Sequence, residues 1–291
     1  METATRADGA AGVGFVVPYD FALDREMWRW APPEVTLHLT RTPFTPVPVT
    51  LEQARAVADH ADVAACVRNL LAVDPLLVGY ACTSGSFVAG VAGERALAAA
   101  LLAAGAPRTV TTSGALLEAI ALLGARRVAV CTPYDRPVTR ALGDFLREAG
   151  VEVVASAHLG LAGHIWALPL EATRALVRST LAAAGRDGAD AVDAVVVSCT
   201  NLLTYDAIVD LEAETGVAVL TANQVTMWAA VRRIGLRAVG PGQRLLEADA
   251  GEVASAPTTT SVAAPVAASK EPCERLEGTD RAHPPTTGDQ R

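Results

Sequence analysis

The chain has 291 residues, of which 51% are hydrophobic, and a formal net charge of −8 at pH 7. A chain of this length and composition can bury a sizeable core, in one large domain or in two smaller ones. The acidic balance, without a basic stripe to neutralise phosphates, argues against a nucleic-acid partner.

The ends and the cysteines indicate the compartment. Residues 1–12 are polar and rich in Gly and Ala, and they lack the apolar core of a signal peptide. No run of about twenty apolar residues is free of charges and helix breakers, so we expect neither a membrane span nor a membrane partner. The five cysteines are odd in number and irregularly spaced. This pattern is not that of a disulfide framework and favours a reduced, cytoplasmic setting.

Strands and helices are predicted to alternate along the chain. The predicted strands are 12–18, 34–41, 76–82, 108–112, 127–132, 151–156, 193–199 and 217–221. Most are continuous apolar runs, as in parallel strands that are covered on both faces. Helical spacing predicts helices over 50–72, 87–104, 113–124, 136–149, 169–184, 205–215 and 223–234. Alternating strand–helix units predict a doubly wound α/β fold.

The predicted elements divide into two similar halves. We assign residues 12–107 together with 217–247 to a first α/β domain, and residues 108–216 to a second. From residue 248 onward the sequence is rich in Ala, Pro, Thr and charge and has no sustained periodicity. Such a composition predicts a disordered tail over 248–291.

The same short motif ends one predicted strand in each half. Cys82 in "YACTSG" and Cys199 in "VSCTNL" each precede a threonine and another polar residue. A single cysteine is more often a small buried hydrophobe, but the recurrence favours a functional pair. Ligands of open α/β sheets bind beyond the carboxyl ends of the strands, which is where both thiols lie.

The groups around these thiols suggest acid–base chemistry. A neighbouring helix N-terminus would stabilise a thiolate and lower its pKa. Hydroxyl and backbone N–H groups after each cysteine could hold a carboxylate or an enolate-like oxyanion. These groups belong to Thr83, Ser84, Thr200 and Asn201. Two facing thiols would form a pair in which one takes a proton from carbon and the other returns one to the opposite face.

Other uses of these motifs are less well supported. A closed zinc site needs a third and a fourth clustered ligand, and a disulfide needs closely placed thiols in an oxidising setting. Gly12 and Gly14 lie at the start of the first predicted strand and not after it, and the third glycine of a dinucleotide fingerprint is missing. We therefore expect neither a metal nor a cofactor.

Further candidates lie at other strand ends. Pro18, Tyr19 and Asp20 stand just beyond the first strand and could line the same pocket. Tyr134 follows strand 127–132 and is either a half-buried turn residue or a hydrogen-bond donor to a substrate carboxylate.

Several polar residues have a structural interpretation beside the functional one. Ser113 begins a predicted helix, where capping alone explains it, although the same N-terminus could hold an anion. His164 lies in an irregular segment and is either structural or part of a loop over the site. Asp24, Arg25 and Glu26 are interpreted as a solvated helix start.

Over residues 12–247 the chain resembles the aspartate/glutamate racemase superfamily. The resemblance rests on "ACTSGS", "SCTNLLTYDAI", "GFVVPYDFALD", "TPY" and "PGQRLL". Within the superfamily, the chain resembles the branch of maleate cis-trans isomerases, arylmalonate decarboxylases and racemase-like proteins of ectoine utilisation. The opening "VPYDFALDREMWRW" with "LTRTP" is most similar to the ectoine-utilisation proteins.

The resemblance implies two similar doubly wound domains with parallel sheets, an active site in the cleft between them and a homodimer. It makes Cys82 and Cys199 the catalytic pair and Pro18 part of the pocket wall. The positions that would hold the substrate carboxylate or the developing charge are Thr83, Ser84, Tyr134, Thr200 and Asn201.

Departures from the family pattern bear on the reaction. Decarboxylases of this group have glycine in place of Cys82, so two thiols favour racemisation or isomerisation. Maleate isomerases have asparagine where this chain has Phe21, and a second asparagine near His164, which disfavours maleate. Asp20 could instead pair with the amine of an amino-acid derivative.

The sequence therefore predicts a cofactor-independent racemase or isomerase of a small carboxylate. The alternatives are a maleate isomerase, an arylmalonate-type decarboxylase and a non-catalytic ligand-binding protein.

Overall fold

A computed structural model describes residues 9–184 and 192–255. The strands are β1 (Ala11–Val17), β2 (Val35–Arg41), β3 (Leu77–Tyr80), β4 (Thr109–Thr111), β5 (Arg127–Thr132), β6 (Glu152–His158), β7 (Ala194–Val197) and β8 (Ala218–Thr221). The helices are α1 (Asp24–Trp28), α2 (Leu51–Ala56), α3 (His60–Leu71), α4 (Thr83–Phe87), α5 (Gly90–Ala103), α6 (Thr112–Leu122), α7 (Arg136–Glu148), α8 (Leu170–Ala184), α9 (Tyr205–Thr215), α10 (Ala222–Arg233) and α11 (Arg244–Ser255). A 3-10 helix covers Ile165–Ala167.

The strands form two parallel sheets with the same internal order. The first sheet has the order β2-β1-β3-β4 and the second β6-β5-β7-β8, with parallel pairing at every interface. This confirms the predicted fold of two parallel α/β units. The repeat makes β3 equivalent to β7, so Cys82 and Cys199 follow corresponding strands.

The strand pairing corrects the predicted placement of two strands. β4 pairs with β3, at Val78 with Thr109, and so belongs to the first sheet. β8 pairs with β7, at Ala194 with Ala218, and so belongs to the second sheet. Each sheet is completed by its own fourth strand, and the apolar sequence of a strand does not indicate which sheet it joins. The division into two folding domains stays a prediction.

Helices α6 and α10 join the two halves. They pack against each other, and the buried hydroxyls of Thr112 and Thr226 lie 2.8 Å apart. Each helix begins at a threonine that ends a strand, with Thr111 capping α6 and Thr221 forming a capping box with Gln224 on α10. The residues at the carboxyl ends of both sheets are thereby fixed relative to each other.

One predicted helix is divided in the structure, and another is preceded by an additional short helix. Asp59 caps α3 by accepting from two backbone N–H groups, so the helix predicted over 50–72 becomes α2 and α3. The helix predicted from residue 87 is preceded by the short α4, which begins at Thr83. Cys82 therefore occupies the N-cap position of a helix.

The last helix corrects the predicted start of the tail. α11 extends to Ser255 and is anchored by buried Leu245 and by an ion pair at 3.2 Å between buried Asp249 and Arg232 of α10. A polar, Ala-rich helix has too weak an apolar period to be recognised from sequence. Residues 256–291 of the predicted tail lie outside the described residues. None of the helices in the described part is long and apolar enough to cross a membrane.

Candidate active site

Cys82 and Cys199 line one small cavity at the carboxyl ends of β3 and β7. The two residues are 5% and 7% exposed, and the cavity has a volume of about 20 Å³, which is room for about one water molecule. The residues lining it are Pro18, Asp20, Val49, Gln53, Cys82, Thr83, Ser84, Tyr134, Ile165, Cys199, Thr200 and Asn201. Nine of the twelve predicted site residues are among them.

Size alone does not identify this site. A larger groove of about 550 Å³ lies between α1 and α9, where it is lined by residues such as Arg29 and Tyr205 and contains neither thiol. The Arg29 guanidinium stacks 3.6 Å from the centre of the Tyr205 ring and contacts both carboxylate oxygens of Asp206 at 2.6 Å. This groove is thus formed by a structural contact between the two halves. We take the smaller cavity as the candidate site because of its chemistry.

Burial dominates the electrostatics of Cys82. Desolvation raises the pKa of this thiol, while the Gly85 N–H and the Ser84 hydroxyl oppose the rise. The Ser84 Oγ lies 3.7 Å from the sulfur. Nearby Asp20 raises the pKa further by repelling a thiolate. The prediction that a helix N-terminus lowers the pKa of Cys82 is wrong for the structure without a ligand. The cost of burying a thiolate outweighs the stabilisation that the hydrogen-bond donors provide.

Cys199 has the same balance. Burial raises its pKa to about 12, against hydrogen bonds from the Tyr134 hydroxyl and the Asn201 N–H. The Asn201 N–H lies 3.4 Å from the sulfur. The charge of Asp20 raises this pKa further, as would a thiolate at Cys82. Both thiols are therefore protonated at neutral pH, and each thiolate would depend on the few donors that point at it.

Cys199 also has a strained backbone. Its φ is 108°, a conformation that side-chain-bearing residues rarely adopt and that costs about 1–3 kcal/mol. Cys82, by contrast, has an ordinary extended conformation with φ of −143°. Strain of this kind is typical of functional positions.

This contrast leads to a stability prediction. We expect Cys199→Gly to be more stable to urea than Cys199→Ala by about 1 kcal/mol, because both lack the thiol and only glycine relieves the strain. At Cys82 the order should reverse, since glycine gains nothing in an extended conformation. Equal stability of the two Cys199 variants would show that this position is not strained.

Tyr134 lines the same cavity and offers a hydrogen bond to Cys199. Its ring is 2% exposed, which replaces the half-buried turn residue considered from the sequence. Burial raises the pKa of its hydroxyl well above the usual value, and a thiolate at Cys199 or Cys82 would raise it further. The phenol therefore stays protonated and can donate to a thiolate or to a carboxylate.

Asp20 has the one carboxyl group in the described lining of the cavity. Desolvation raises the pKa of this carboxyl, and a hydrogen bond from its own backbone opposes the rise. The cavity has no Lys, Arg or His in its described lining. A ligand that entered with a positive group would therefore find its counter-charge at Asp20.

Comparisons with known proteins agree with this geometry. The family model of arylmalonate decarboxylase matches residues 50–246. The chain belongs to the arylmalonate decarboxylase family. This confirms the predicted branch of the aspartate/glutamate racemase-like superfamily, which includes maleate isomerases.

Two relatives match most of the chain. The chain is 34% identical over 180 residues to an arylmalonate decarboxylase of Bordetella bronchiseptica, and the match covers 62% of this chain and 71% of that protein. It is 30% identical over 223 residues to a maleate isomerase of Pseudomonas putida, which is 72% of this chain and 83% of that protein.

Solved structures of the family show the same fold. A variant of the maleate isomerase Iso from Pseudomonas putida S16, crystallised with maleate, has a TM-score of 0.73 at 28% identity and covers 82% of this chain and 98% of that one. A mutant Nocardia farcinica maleate cis-trans isomerase with a covalently bound succinylcysteine intermediate has a TM-score of 0.70 at 27% identity, with coverages of 82% and 98%.

In the protein described here, the Asn201 side chain connects the second half to the loop after β1. Its Nδ2 donates to the Asp20 carbonyl at 3.0 Å, and its Oδ1 accepts from the Ala22 N–H at 2.9 Å. Both ends of the amide are therefore used by the loop after β1. Neither end of the side-chain amide is therefore left for a substrate, and the Asn201 backbone N–H points at the Cys199 sulfur.

Three predicted site residues lie outside the cavity lining. Tyr19 turns outward, donating to the Val47 carbonyl at 3.4 Å and packing edge-on against Phe44. Exposed His164 has a left-handed φ of 52° and lies beside Trp166. Its neighbour Ile165 points into the cavity in its place.

Ser113, the third of these residues, lies behind the site. It is fully buried, with its Oγ 2.6 Å from the Ser86 Oγ and 3.3 Å from the Thr83 carbonyl that it contacts. The cap of α6 is Thr111 instead. Ser113 thus supports the segment after Cys82 and does not line the cavity.

Sequence reasoning missed three residues of the lining. Gln53 is 3% exposed on α2, and a polar residue on the buried face of a predicted helix was the available signal. Val49 lies in the loop before α2, and Ile165 begins the 3-10 helix that follows the loop containing Ala162. The two loops are joined by the hydrogen bond from the Val49 N–H to the Ala162 carbonyl at 2.9 Å. No local pattern predicts that these loops meet over the cavity.

Proposed function

We propose that this protein is a cofactor-independent isomerase or racemase of a small carboxylate in which Cys82 and Cys199 act on the substrate from opposite sides. The observation that carries the proposal is that both thiols, from equivalent strand ends, line one cavity of about 20 Å³. Its relatives named maleate isomerase support isomerisation.

Proton transfer on carbon is the first form of this chemistry. One cysteine, as a thiolate, takes the proton on the carbon next to the carboxylate and becomes a thiol. The resulting enolate is stabilised by N–H and hydroxyl donors after the two cysteines and by the Tyr134 hydroxyl. The other thiol then gives its proton to the opposite face and becomes the thiolate. The product has inverted configuration, and the reverse reaction restores the starting protonation.

Addition and elimination on an alkene diacid is the second form. The thiolate of one cysteine adds to one alkene carbon, the former double bond rotates, and elimination releases the trans isomer and the thiolate. A covalent succinylcysteine in the Nocardia farcinica relative supports this form for a maleate isomerase. A decarboxylase remains the further alternative because the family model carries that name.

The substrate class is proposed from charge. Asp20 faces a cavity whose described lining has no cationic side chain, so a second carboxylate on the substrate would be repelled and an amine attracted. We therefore propose an amino-acid derivative in ectoine utilisation, which also agrees with the resemblance of the segment after β1. A cytoplasmic location and a homodimer stay predictions.

Asp20→Asn tests this substrate class. We expect the variant to bind amine-bearing carboxylates at least about tenfold more weakly, because a charge-assisted contact is lost, and to bind amine-free dicarboxylates no more weakly. In the wild type, affinity for the amine should fall as the pH falls through the raised pKa of Asp20, where the carboxylate becomes neutral. Titration calorimetry measures both effects.

Asp24→Asn is the matched control, since Asp24 pairs with Arg41 at 3.2 Å and lies outside the lining. An unchanged affinity of Asp20→Asn for amine-bearing ligands would rule out the ion pair while leaving the two-thiol mechanism intact.

A screen followed by turnover in D2O tests the function itself. Thermal shifts with small carboxylates, including acetylated diaminobutyrates and maleate, would identify ligands, because a ligand that binds the folded state raises the melting temperature. A racemase incorporates deuterium at the stereocentre, whereas addition and elimination need not. If the protein binds a ligand but neither converts it nor exchanges its protons for deuterium, the non-catalytic alternative is favoured.

A further inference from the structure

A buried carboxylate outside the proposed chemistry lies behind the Cys199 loop. Glu26 of α1 is 5% exposed, which corrects its interpretation as part of a solvated helix start. Its Oε1 accepts from the N–H groups of Thr204 at 2.6 Å and Tyr205 at 2.8 Å. Its Oε2 accepts from the Asn223 Nδ2 at 2.8 Å. A glutamate of the first half thus holds two segments that follow it by nearly 200 residues.

Asn223 carries this contact to the site. Its Nδ2 makes a second hydrogen bond, to the Thr200 carbonyl at 2.9 Å. Its Oδ1 is buried without a hydrogen-bond partner among the described residues. The orientation of the amide is therefore set at its nitrogen, by Glu26 on one side and by Thr200 on the other.

The Thr200 carbonyl and the Asn201 N–H belong to the same peptide unit. A peptide unit is planar, so fixing the direction of its oxygen fixes the direction of its N–H. That N–H points at the Cys199 sulfur, 3.4 Å away. Because Cys199 has the unusual φ of 108°, the loop after it needs such support to keep this orientation.

We propose that Glu26 and Asn223 are positioning residues that aim the Asn201 N–H at the Cys199 sulfur. The inference rests on the proposed function in giving the Cys199 thiolate a role. The geometry itself does not depend on which carboxylate is bound. Loss of the aimed N–H would remove one of the hydrogen bonds that oppose the effect of burial on this thiol.

Thiol alkylation tests the proposal without a substrate. Iodoacetamide labelling of the intact protein, followed by peptide mass spectrometry, gives separate rates for Cys199 and Cys82. Both thiols line one cavity, so a general change in access moves both rates, and their ratio isolates the effect on Cys199. An unchanged labelling ratio would argue against the positioning role without arguing against isomerase activity. A changed ratio would support the positioning role even if no activity were detected.

Glu26→Gln and Asn223→Asp are the first variants. In Glu26→Gln the new amide carbonyl can still accept from α9, but the new NH2 group would face the Asn223 NH2, so Asn223 must turn and release Thr200. Asn223→Asp replaces the NH2 group with a carboxyl group that has at most one proton, so it cannot donate to Glu26 and to the Thr200 carbonyl together. We expect each to lower the ratio of Cys199 to Cys82 alkylation by about three- to tenfold, because the fraction of thiolate falls while its nucleophilicity partly compensates.

Glu212→Gln is the matched control. Glu212 is 3% exposed and likewise accepts from two backbone N–H groups, of Val219 at 2.9 Å and Arg244 at 3.0 Å. It lies toward the other end of α9, and within the described residues its side chain accepts from Val219 and Arg244 and not from the residues after Cys199. We expect its replacement to lower stability and to leave the alkylation ratio unchanged.

The double variant Glu26→Gln with Asn223→Asp separates positioning from stability. It restores a hydrogen bond between residues 26 and 223 with the polarity reversed, so we expect the melting temperature to recover. The new carboxylate cannot donate to the Thr200 carbonyl, so the alkylation ratio should stay low. Recovery of the ratio together with stability, or an unchanged ratio in the single variants, would overturn the proposal. If a charge-changing variant does not fold, Asn223→Ser carries the test.

Discussion

Replacing either Cys82 or Cys199 with serine is expected to lower kcat/KM at least about a thousandfold on the carboxylate selected by the thermal-shift screen. A serine hydroxyl has nearly the size of the thiol, but it is far less acidic and cannot form the anion that either proposed reaction requires. Steady-state kinetics of each variant, with its melting temperature as a check on folding, measures the effect.

Cys66→Ser is the control for this pair. Cys66 is a buried thiol outside the cavity lining, and its sulfur lies 3.4 Å from the Arg41 carbonyl, a hydrogen bond that a serine hydroxyl can also make. Its replacement should leave kcat/KM nearly unchanged. Wild-type turnover in either Cys82→Ser or Cys199→Ser would remove that thiol from the mechanism.

Gly85→Ala is expected to lower the free energy of unfolding by about 3 kcal/mol, more than the other single substitutions considered, and to reduce turnover. A Cβ at this position would lie 2.1 Å from the Tyr80 hydroxyl. Tyr80 is fully buried and donates to the Val57 carbonyl at 2.9 Å. The methyl group must break that bond or displace α4, and overpacking and a lost buried hydrogen bond each cost about 1–3 kcal/mol.

Displacement of α4 would also disturb Cys82, because the Gly85 N–H opposes the rise in the pKa of this thiol. The double variant Tyr80→Phe with Gly85→Ala should recover part of the stability, since the next nearest ring atom would lie 3.1 Å from the new methyl. Gly251→Ala adds the same methyl in open space on α11 and should not destabilise. Urea unfolding compares these variants, and a fully stable Gly85→Ala would show that this contact can relax.

The fold and the two thiols were predictable from sequence because their signals are local. Continuous apolar runs indicate buried parallel strands wherever they pair, and the Cys-Thr motif at two strand ends places Cys82 and Cys199 at the same edge of their sheets. The assignment of β4 and β8 to sheets was not predictable in this way. It depends on hydrogen bonding between segments that are far apart in the chain.

The second layer of the site depends on distant contacts and was largely missed. The charged sequence "LDREMW" predicts a surface position for Glu26. Its carboxylate is buried because hydrogen-bond donors at the start of α9 and on α10 contact it. Asn201 reads as a ligand group, but its amide holds the loop after β1. The raised pKa values of the two thiols could not be predicted either, because desolvation depends on residues that are distant in sequence. Desolvation outweighs the effect of the neighbouring helix N-terminus, which the sequence does indicate.

The central claim is that Cys82 and Cys199 act as one unit on one substrate, and the double variant Cys82→Ser with Cys199→Ser tests it most directly. Groups that act together in catalysis give strongly non-additive losses. Measured against the wild type and both single variants, kcat/KM of the double variant should be no lower than that of the worse single variant. Losses that multiply in the double variant would contradict the account, because they would show that the two thiols contribute independently.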